Sequence, residues 1–139
     1  MNSYKFSTAQ ALAFLETVKS KLDGNSYTLY QQLECLHDAY IQEFNLSTTS
    51  GQVDCCLTLM QDTCELPPFI QLHMYNVQKL ELTVSPAAFL WNEVYYLYLM
   101  DAGNGIRIEC RTDEMLYFSC VAGSVSIENF AESEYESMS

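Results

Sequence analysis

The sequence predicts an α+β fold, with about three N-terminal helices followed by an antiparallel β-meander. Apolar residues recur at helical spacing in the first half of the chain and at a spacing of two after residue 76. Pro67 and Pro68 separate the two patterns, because proline cannot donate a backbone hydrogen bond to a helix. The length of 139 residues is that of one domain. We therefore expect a single domain over residues 1–139, divided into a helical half at 7–66, a strand-rich half at 77–127 and an acidic tail at 128–139.

The first helix is expected to begin after Ser7, which can cap it, with Gln10 as its partner in a capping box. Helical spacing continues to Leu22. Gly24 follows, and it favours the left-handed conformation that ends a helix. The apolar residues of this helix are Ala11, Leu12, Phe14, Leu15, Val18 and Leu22.

Two further helices are predicted before the prolines. The second is expected to start near Ser26 and to end at Phe44, before a polar loop at 45–51. The third is expected at about 52–62. Their apolar stripes are Tyr27, Tyr30, Leu33, Leu36 or His37, Tyr40, Ile41 and Phe44 in the second helix, and Val53, Cys56, Leu57, Leu59 and Met60 in the third.

Strands are predicted in the second half of the chain. The alternation of apolar and charged residues from Ile106 to Arg111 is the clearest strand pattern in the sequence. A turn is expected at 101–105, where Gly103 and Gly105 flank an asparagine. The end of the acidic tail is expected to fray. The predicted strands are 77–84, 94–101, 106–111, 115–121 and 125–127.

The sequence also predicts where the protein resides. The longest apolar run covers only 94–100, whereas a membrane helix needs about 20 residues. No apolar run follows a basic N-terminus, so we expect no signal peptide, no membrane contact and a cytoplasmic, reducing location. Cysteines in that compartment stay reduced, and most are expected in the core. The six cysteines are Cys35, Cys55, Cys56, Cys64, Cys110 and Cys120.

The sequence contains no recognisable catalytic, metal or cofactor site, and we expect a protein that is not an enzyme. Zinc sites need paired ligands at short spacing, and the chain has no CxxC. Neither His37 nor His73 stands in a recognised context for activating a cysteine. The segment from Gly103 to Gly105 lacks the spacing of a phosphate-binding loop. An enzyme remains an alternative, and it would require a pocket in which a cysteine, a histidine and a carboxylate meet.

Charge is the most informative property of the chain. Eighteen acidic residues stand against six basic ones, which gives a formal net charge of −12. This surplus disfavours direct binding to nucleic acid, whose phosphates are normally met by Lys or Arg, and it attracts basic protein surfaces. The leading hypothesis is a small acidic inhibitor that mimics nucleic acid and binds, blocks or sequesters a basic, nucleic-acid-handling protein. Anti-defence proteins of bacteriophages and toxin-immunity proteins are of this type. Acidity that only maintains solubility is the competing explanation.

The residues expected to contact this partner are carboxylates towards the C-terminus and tyrosines that act as aromatic anchors. The carboxylates are Asp113, Glu114, Glu128, Glu132, Glu134 and Glu136, and the tyrosines are Tyr95, Tyr96, Tyr98 and Tyr117. Acidic residues of the predicted helices, such as Glu43 and Asp54, are expected on solvated helix faces.

The segment from Ala11 to Lys19 resembles the first helix of the paired-amphipathic-helix domain of transcriptional co-repressors, with the pattern A-L-x-[YF]-L-x-x-V-K. The similarity extends over residues 9–75, about half of the chain. Core positions of the family's second and third helices are matched by Tyr30, Leu33, Leu36 and Tyr40, and by Val53, Cys56, Leu59 and Met60.

The resemblance implies a four-helix bundle whose cleft binds an amphipathic helix of a transcription factor, in a complex that survives salt. The cleft would be lined by Leu12, Leu15, Val18, Leu33 and Leu36. The chain departs from the family at 66–75, where the signature G-F-N-x-F-L-P is missing, and its strand-rich second half has no counterpart.

Overall fold

The computed structural model describes residues 7–62, 66–84, 93–112 and 116–138. These residues form a six-stranded antiparallel sheet with short helices at both ends of the chain. The elements are α1 (Thr8–Thr17), a 3-10 helix (Lys19–Lys21), α2 (Gly24–Gln32), a second 3-10 helix (Glu34–Leu36), β1 (Tyr40–Thr49), β2 (Gln52–Met60), β3 (Phe69–Val84), β4 (Val94–Asp101), β5 (Ile106–Thr112), β6 (Leu116–Phe130) and α3 (Glu132–Ser137).

The sheet consists of two antiparallel meanders that share its centre. The strand order is β1-β2-β3-β6-β5-β4, and the long strands β3 and β6 join the two meanders. The sheet curls until its two outermost strands meet at one end. There Val94 N donates to Ala39 O at 2.7 Å, Asp38 N donates to Val94 O at 3.0 Å, and Tyr40 forms a single bridge with Glu93.

The inner face of the curled sheet holds the hydrophobic core. Leu57, Leu72 and Ile127 lie side by side on β2, β3 and β6, and each is buried. Leu15 on α1 and Tyr30 on α2 are fully buried in the same cluster. Burial of each such side chain contributes about 1.5–3 kcal/mol, so the helices and the sheet are stabilised together.

The helix starts follow from capping side chains. Ser7 Oγ accepts a hydrogen bond from Gln10 N at 3.2 Å, so Ser7 caps α1 as the sequence predicts. Asp23 caps α2 by accepting from Ser26 N at 3.0 Å. Gly24, which was expected to end the first helix, is instead the first residue of α2.

The predicted fold class is wrong, because the sheet dominates the molecule and no helical half at 7–66 exists. The second predicted helix ends at Gln32, and β1 and β2 form a hairpin where the rest of the second and the third helix were expected. A bulge between Ile41 and Glu43 explains the error, since it places the inward-facing Ile41 and Phe44 three residues apart, as in a helix. The predicted strands at 94–101 and 106–111 lie where β4 and β5 are.

Three further predictions need correction. The strand expected at 77–84 is the end of β3, which begins at Phe69, directly after the prolines. The two strands expected at 115–121 and 125–127 are one strand, β6, which runs through Gly123 without interruption. The acidic tail expected at 128–139 begins within β6, and its residues 132–137 form α3. Residues 85–92 and the predicted turn at 113–114 lie outside the described residues.

Candidate functional site

The outer face of β1, β2, β3 and β6 carries a row of polar side chains that crosses four strands. The pairing registers align Glu43 with Thr58, Thr58 with Gln71, and Gln71 with Glu128. Adjacent strands lie about 4.8 Å apart, so the two glutamates at the ends of the row are roughly 14 Å apart. Both glutamates are exposed, and the row presents two carboxylates to solvent.

Cys56 lies next to this row, and the charges of both glutamates affect the pKa of its thiol. Burial raises the pKa of the Cys56 thiol, and the charges of Glu43 and Glu128 raise it further. His73, the neighbour of Cys56 on β3, has its Nε2 4.0 Å from Glu128 Oε2. The carboxylates of Glu43 on β1 and Glu128 on β6 therefore both contribute negative charge to the outer face around Cys56.

Asp54 and α3 extend the negative charge. Asp54 accepts hydrogen bonds from Asn76 N at 2.9 Å and from Gln52 Nε2 at 3.1 Å, and these bonds hold the pKa of its carboxyl below the usual value. Tyr135 of α3 stacks on Phe69 with ring centroids 4.4 Å apart, which holds α3 against the sheet. We call the following set the acidic surface: Glu43, Asp54, Glu128, Glu132, Glu134 and Glu136.

Positive charge is absent from the elements that carry the acidic surface. Strands β1 and β2, residues 69–78 of β3, residues 122–130 of β6 and α3 contain no Lys or Arg. The basic side chains in the described part of the chain lie elsewhere, on the first 3-10 helix, the end of β3, and β5. They are Lys19, Lys21, Lys79, Arg107 and Arg111. The described basic side chains are therefore separated from the acidic surface, whereas other carboxylates, such as Asp101 and Glu109, lie beside them.

Three of the predicted tyrosine anchors gather around one carboxylate on the other half of the sheet. Tyr96 OH donates to Glu109 Oε2 at 3.2 Å, and Tyr117 OH donates to Glu109 Oε1 at 3.1 Å. Arg107 also donates to Glu109 Oε1, at 3.1 Å. Tyr98 stacks on Tyr96 with ring centroids 4.5 Å apart. We call Tyr96, Tyr98, Tyr117 and Glu109 the tyrosine cluster.

The tyrosine cluster has the chemistry of a partly covered contact surface, in which Arg107 pairs with the Glu109 carboxylate. Burial raises the pKa of Tyr96 and of Tyr98, so both phenols stay protonated at neutral pH. The Arg111 guanidinium lies 4.9 Å from the centre of the Tyr117 ring. Tyrosine and arginine side chains of this kind are enriched at protein interfaces.

The structure separates the residues that were expected to form one site. Tyr117 and Glu128 lie on the same strand, 11 residues apart, which is about 36 Å along the strand at about 3.3 Å per residue. The fourth predicted anchor, Tyr95, precedes Tyr96 on β4, and its carbonyl contacts His37 Nδ1 at 2.9 Å. Asp113 and Glu114 are outside the described residues.

Sequence reasoning missed Glu43 and Asp54, because both were assigned to polar faces of helices. Their place on the outer face follows from the β1–β2 hairpin. The alternation of Cys55, Leu57 and Leu59 in the sequence is the pattern that could have identified the hairpin.

A cleft beside α1 is lined by a cysteine, a histidine and a carboxylate. The cleft has a volume of about 490 Å³, and Glu34, Cys35 and His37 contribute to its lining. Glu34 and Cys35 adopt positive φ angles of 54° and 58°. Burial raises the pKa of the Cys35 thiol, whereas a nucleophilic cysteine needs a lowered pKa. This arrangement therefore gives no support to thiol catalysis.

Comparisons with protein-family models, curated proteins and solved structures found no match to this chain. Among the residues that the structure describes, no group of three His, Cys, Asp or Glu side chains is arranged to hold a metal ion. Within the described ranges, no helix combines the length and the apolar character that crossing a membrane requires. The described cysteines are free thiols.

Proposed function

We propose that this protein binds a basic surface of another protein through its acidic surface, and thereby inhibits or sequesters that protein. The observation that carries the proposal is the absence of Lys and Arg from the elements that carry the acidic surface. The acidic surface groups carboxylates from β1, β2, β6 and α3 on elements without a single Lys or Arg. A one-signed surface accelerates the encounter with an oppositely charged partner and selects against acidic partners.

The preferred class of partner is a nucleic-acid-handling protein, whose basic groove would accept carboxylates in place of phosphates. Glu43 and Glu128 are roughly 14 Å apart across the row of four strands, which is close to the width of the DNA major groove, about 12 Å. Carboxylates fixed on a sheet at this spacing are pre-organised, so little conformational entropy is lost on binding. A reducing, intracellular location belongs to the same proposal, and the free thiols are consistent with it.

The test compares two variants that remove the same number of charges. The first, Glu43→Gln with Glu128→Gln, Glu132→Gln and Glu136→Gln, weakens the acidic surface. The matched control replaces four other glutamates, each on a different element or connection: Glu16→Gln, Glu34→Gln, Glu81→Gln and Glu93→Gln. Each protein is immobilised and used to capture partners from a native lysate, with washes of increasing salt and with duplex DNA as competitor.

The proposal predicts that wild type and control retain the same partner, that salt and DNA both release it, and that the acidic-surface variant binds it at least tenfold more weakly. A partner retained equally by all three proteins, or one that resists both salt and DNA, would overturn the proposal.

The alternative of an open cleft for an amphipathic helix has less support. Leu15, Val18, Leu33 and Leu36, which would line that cleft, are fully buried in the core. Val53 and Cys56, which match the third helix of the paired-amphipathic-helix family, lie on β2. A helix partner would have to displace core contacts, so we do not propose this activity.

A further inference from the structure

The two outer edges of the sheet differ in how their backbone groups are satisfied. On β4, side chains from the helical segment cover the edge. Tyr30 OH donates to Leu97 O, Thr17 Oγ1 accepts from Asp101 N at 3.0 Å, and His37 Nδ1 lies 2.9 Å from Tyr95 O. These bonds leave little of this edge available for another strand.

The edge of β1 has no such cover in the described part of the chain. Beyond the bridge at Tyr40, no described residue pairs with β1 on the side away from β2. Residues 45–49 are all exposed, and they include Leu46, which is 51% exposed. The segment contains no Pro or Lys, the residues that commonly protect a free strand edge.

The hairpin turn determines which backbone groups face this edge. Ser50 and Gly51 form a two-residue turn, so Thr49 and Gln52 are the closing, hydrogen-bonded pair. Hydrogen-bonded and non-hydrogen-bonded pairs alternate along an antiparallel ladder. It follows that Phe44, Leu46 and Thr48 direct their N–H and C=O groups away from β2, towards the free edge.

We propose that β1 accepts an extended segment of the basic partner as an additional strand, with Lys or Arg at alternate positions of that segment. This inference rests on the proposed function, and it specifies that the partner binds by adding a strand to the sheet. Strand addition satisfies the edge groups of Phe44, Leu46 and Thr48 through main-chain hydrogen bonds.

The side chains of β1 set the pattern of the added strand. Outward-facing positions of the added strand lie beside Glu43, Asn45 and Ser47, at the border of the acidic surface, where Lys or Arg gain charge complementarity. Inward-facing positions lie beside Phe44 and Leu46, where apolar side chains are favoured. The expected motif therefore alternates basic and apolar residues. A second copy of this chain is disfavoured as the occupant, because each copy carries a net charge of −12.

The probe for the experiment is a synthetic peptide in which Lys and Val alternate. The control peptide has the same sequence but carries an N-methyl group on every residue, so it keeps its charge and cannot donate a main-chain hydrogen bond to β1 from either edge. Amide hydrogen exchange of the full-length protein is measured by NMR with each peptide. The proposal predicts slower exchange at Phe44, Leu46 and Thr48 with the first peptide, and binding at least tenfold weaker for the N-methylated one.

Two variants separate this inference from the proposed function. Leu46→Pro removes an edge-facing N–H without removing a β1–β2 hydrogen bond, and it is expected to weaken binding of the alternating peptide. Should this variant fail to fold, the N-methylated peptide provides the same test on the unaltered protein. The second is the acidic-surface variant, which is also expected to bind the peptide more weakly.

Each result has one meaning. Equal binding of both peptides, lost only in the acidic-surface variant, would overturn strand addition and leave the proposed function intact. Protected edge amides together with undiminished binding by the acidic-surface variant would support strand addition and contradict the proposed function. Edge amides that are protected without peptide, in a dimer seen by sedimentation, would place a second copy on β1 and overturn the inference.

Discussion

At the scale of single residues, one buried hydroxyl joins α2 to the sheet. Ser26 Oγ accepts a hydrogen bond from Ile127 N at 2.8 Å and donates one to Asp23 Oδ1 at 2.6 Å, and Ser26 is 1% exposed. It thus satisfies a backbone donor of β6 and supports the cap of α2. Ser26→Ala leaves the Ile127 N–H buried without this acceptor, and we expect a loss of about 1–3 kcal/mol in the free energy of unfolding.

Urea denaturation checks this value. Ser20→Ala is the matched control, because Ser20 is exposed in the first 3-10 helix, and it is expected to change stability by less than about 0.5 kcal/mol. A Ser26→Ala protein as stable as this control would show that the hydroxyl does not hold β6.

A second residue-scale prediction concerns pH. Lys21 Nζ donates to Asp101 Oδ1, to Gly103 O at 3.0 Å and to Gly105 O at 3.2 Å, so it ties the β4–β5 turn to the helical segment. The hydrogen bond from Lys21 lowers the pKa of Asp101. A lowered folded-state pKa stabilises the fold above the unfolded-state pKa of about 3.9, and this stabilisation is lost as pH falls through the folded value.

Lys21→Met is therefore expected to raise the pKa of Asp101 towards about 3.9, as measured by NMR titration of the carboxyl carbon. Stability measured against pH should differ most between this variant and wild type above about pH 4, and the difference should shrink on acidification. Lys19→Met is the control, since the Lys19 ammonium lies 5.1 Å from the centre of the Tyr27 ring. A pKa of Asp101 that shifts equally in both variants would contradict the assignment.

At the scale of elements, the β1–β2 turn decides whether residues 40–60 form a hairpin. Ser50 and Gly51 have φ angles of 54° and 79°, as a type I′ turn requires. Asparagine tolerates the first position better than serine, so Ser50→Asn is expected to stabilise the protein by on the order of 0.5 kcal/mol. Gly51→Ala is expected to destabilise it by about 1 kcal/mol.

Thermal unfolding of both variants measures these changes. Gly24→Ala is the matched control, because Gly24 begins α2 without a positive φ and its missing Cβ would meet no atom within 4 Å. That variant should be unchanged or slightly more stable, since alanine is the better helix former. Equal destabilisation by Gly51→Ala and Gly24→Ala would argue against the turn.

This hairpin also marks the limit of what periodicity predicts. β4 and β5 are recognisable because their apolar residues alternate without interruption. β1 is not, because the bulge at Gln42 shifts the alternation and leaves Ile41 and Phe44 at helical spacing. The dipeptide Ser50-Gly51 is compatible with a hairpin turn, but the helical spacing of the apolar residues before it favoured a helix and a loop instead.

At the scale of the whole molecule, the sequence predicts the amount of charge and not its distribution. Glu132, Glu134 and Glu136 could be grouped from the sequence because they lie close together along the chain, within the segment that forms α3. Glu43 and Asp54 join them only because strands pair across the sheet, a long-range relation that the spacing of one segment does not contain. The length of the single strand β6 separates Tyr117 from Glu128, which the sequence had placed in one site.

The carboxylates of the acidic surface lower the stability of the free protein, although they favour binding to a basic partner. Like charges held together on the acidic surface repel one another in the folded protein, and salt screens this repulsion. The Debye length falls from about 30 Å at 0.01 M salt to about 10 Å at 0.1 M. We therefore expect the urea midpoint of the free protein to rise over this range of salt, while its complex with a basic partner weakens.

The two four-glutamate variants make this prediction specific to the distribution of charge. Each has a formal net charge of −12 + 4 = −8, so any difference between them reflects position and not amount. The salt-induced rise in the urea midpoint should be largest for wild type, smaller for the control with scattered substitutions, and smallest for the acidic-surface variant. Clustered charges repel more strongly because they are closer together. Equal rises in the two variants would mean that the carboxylates of the acidic surface do not act as a group, and the proposed docking surface would lose its physical basis.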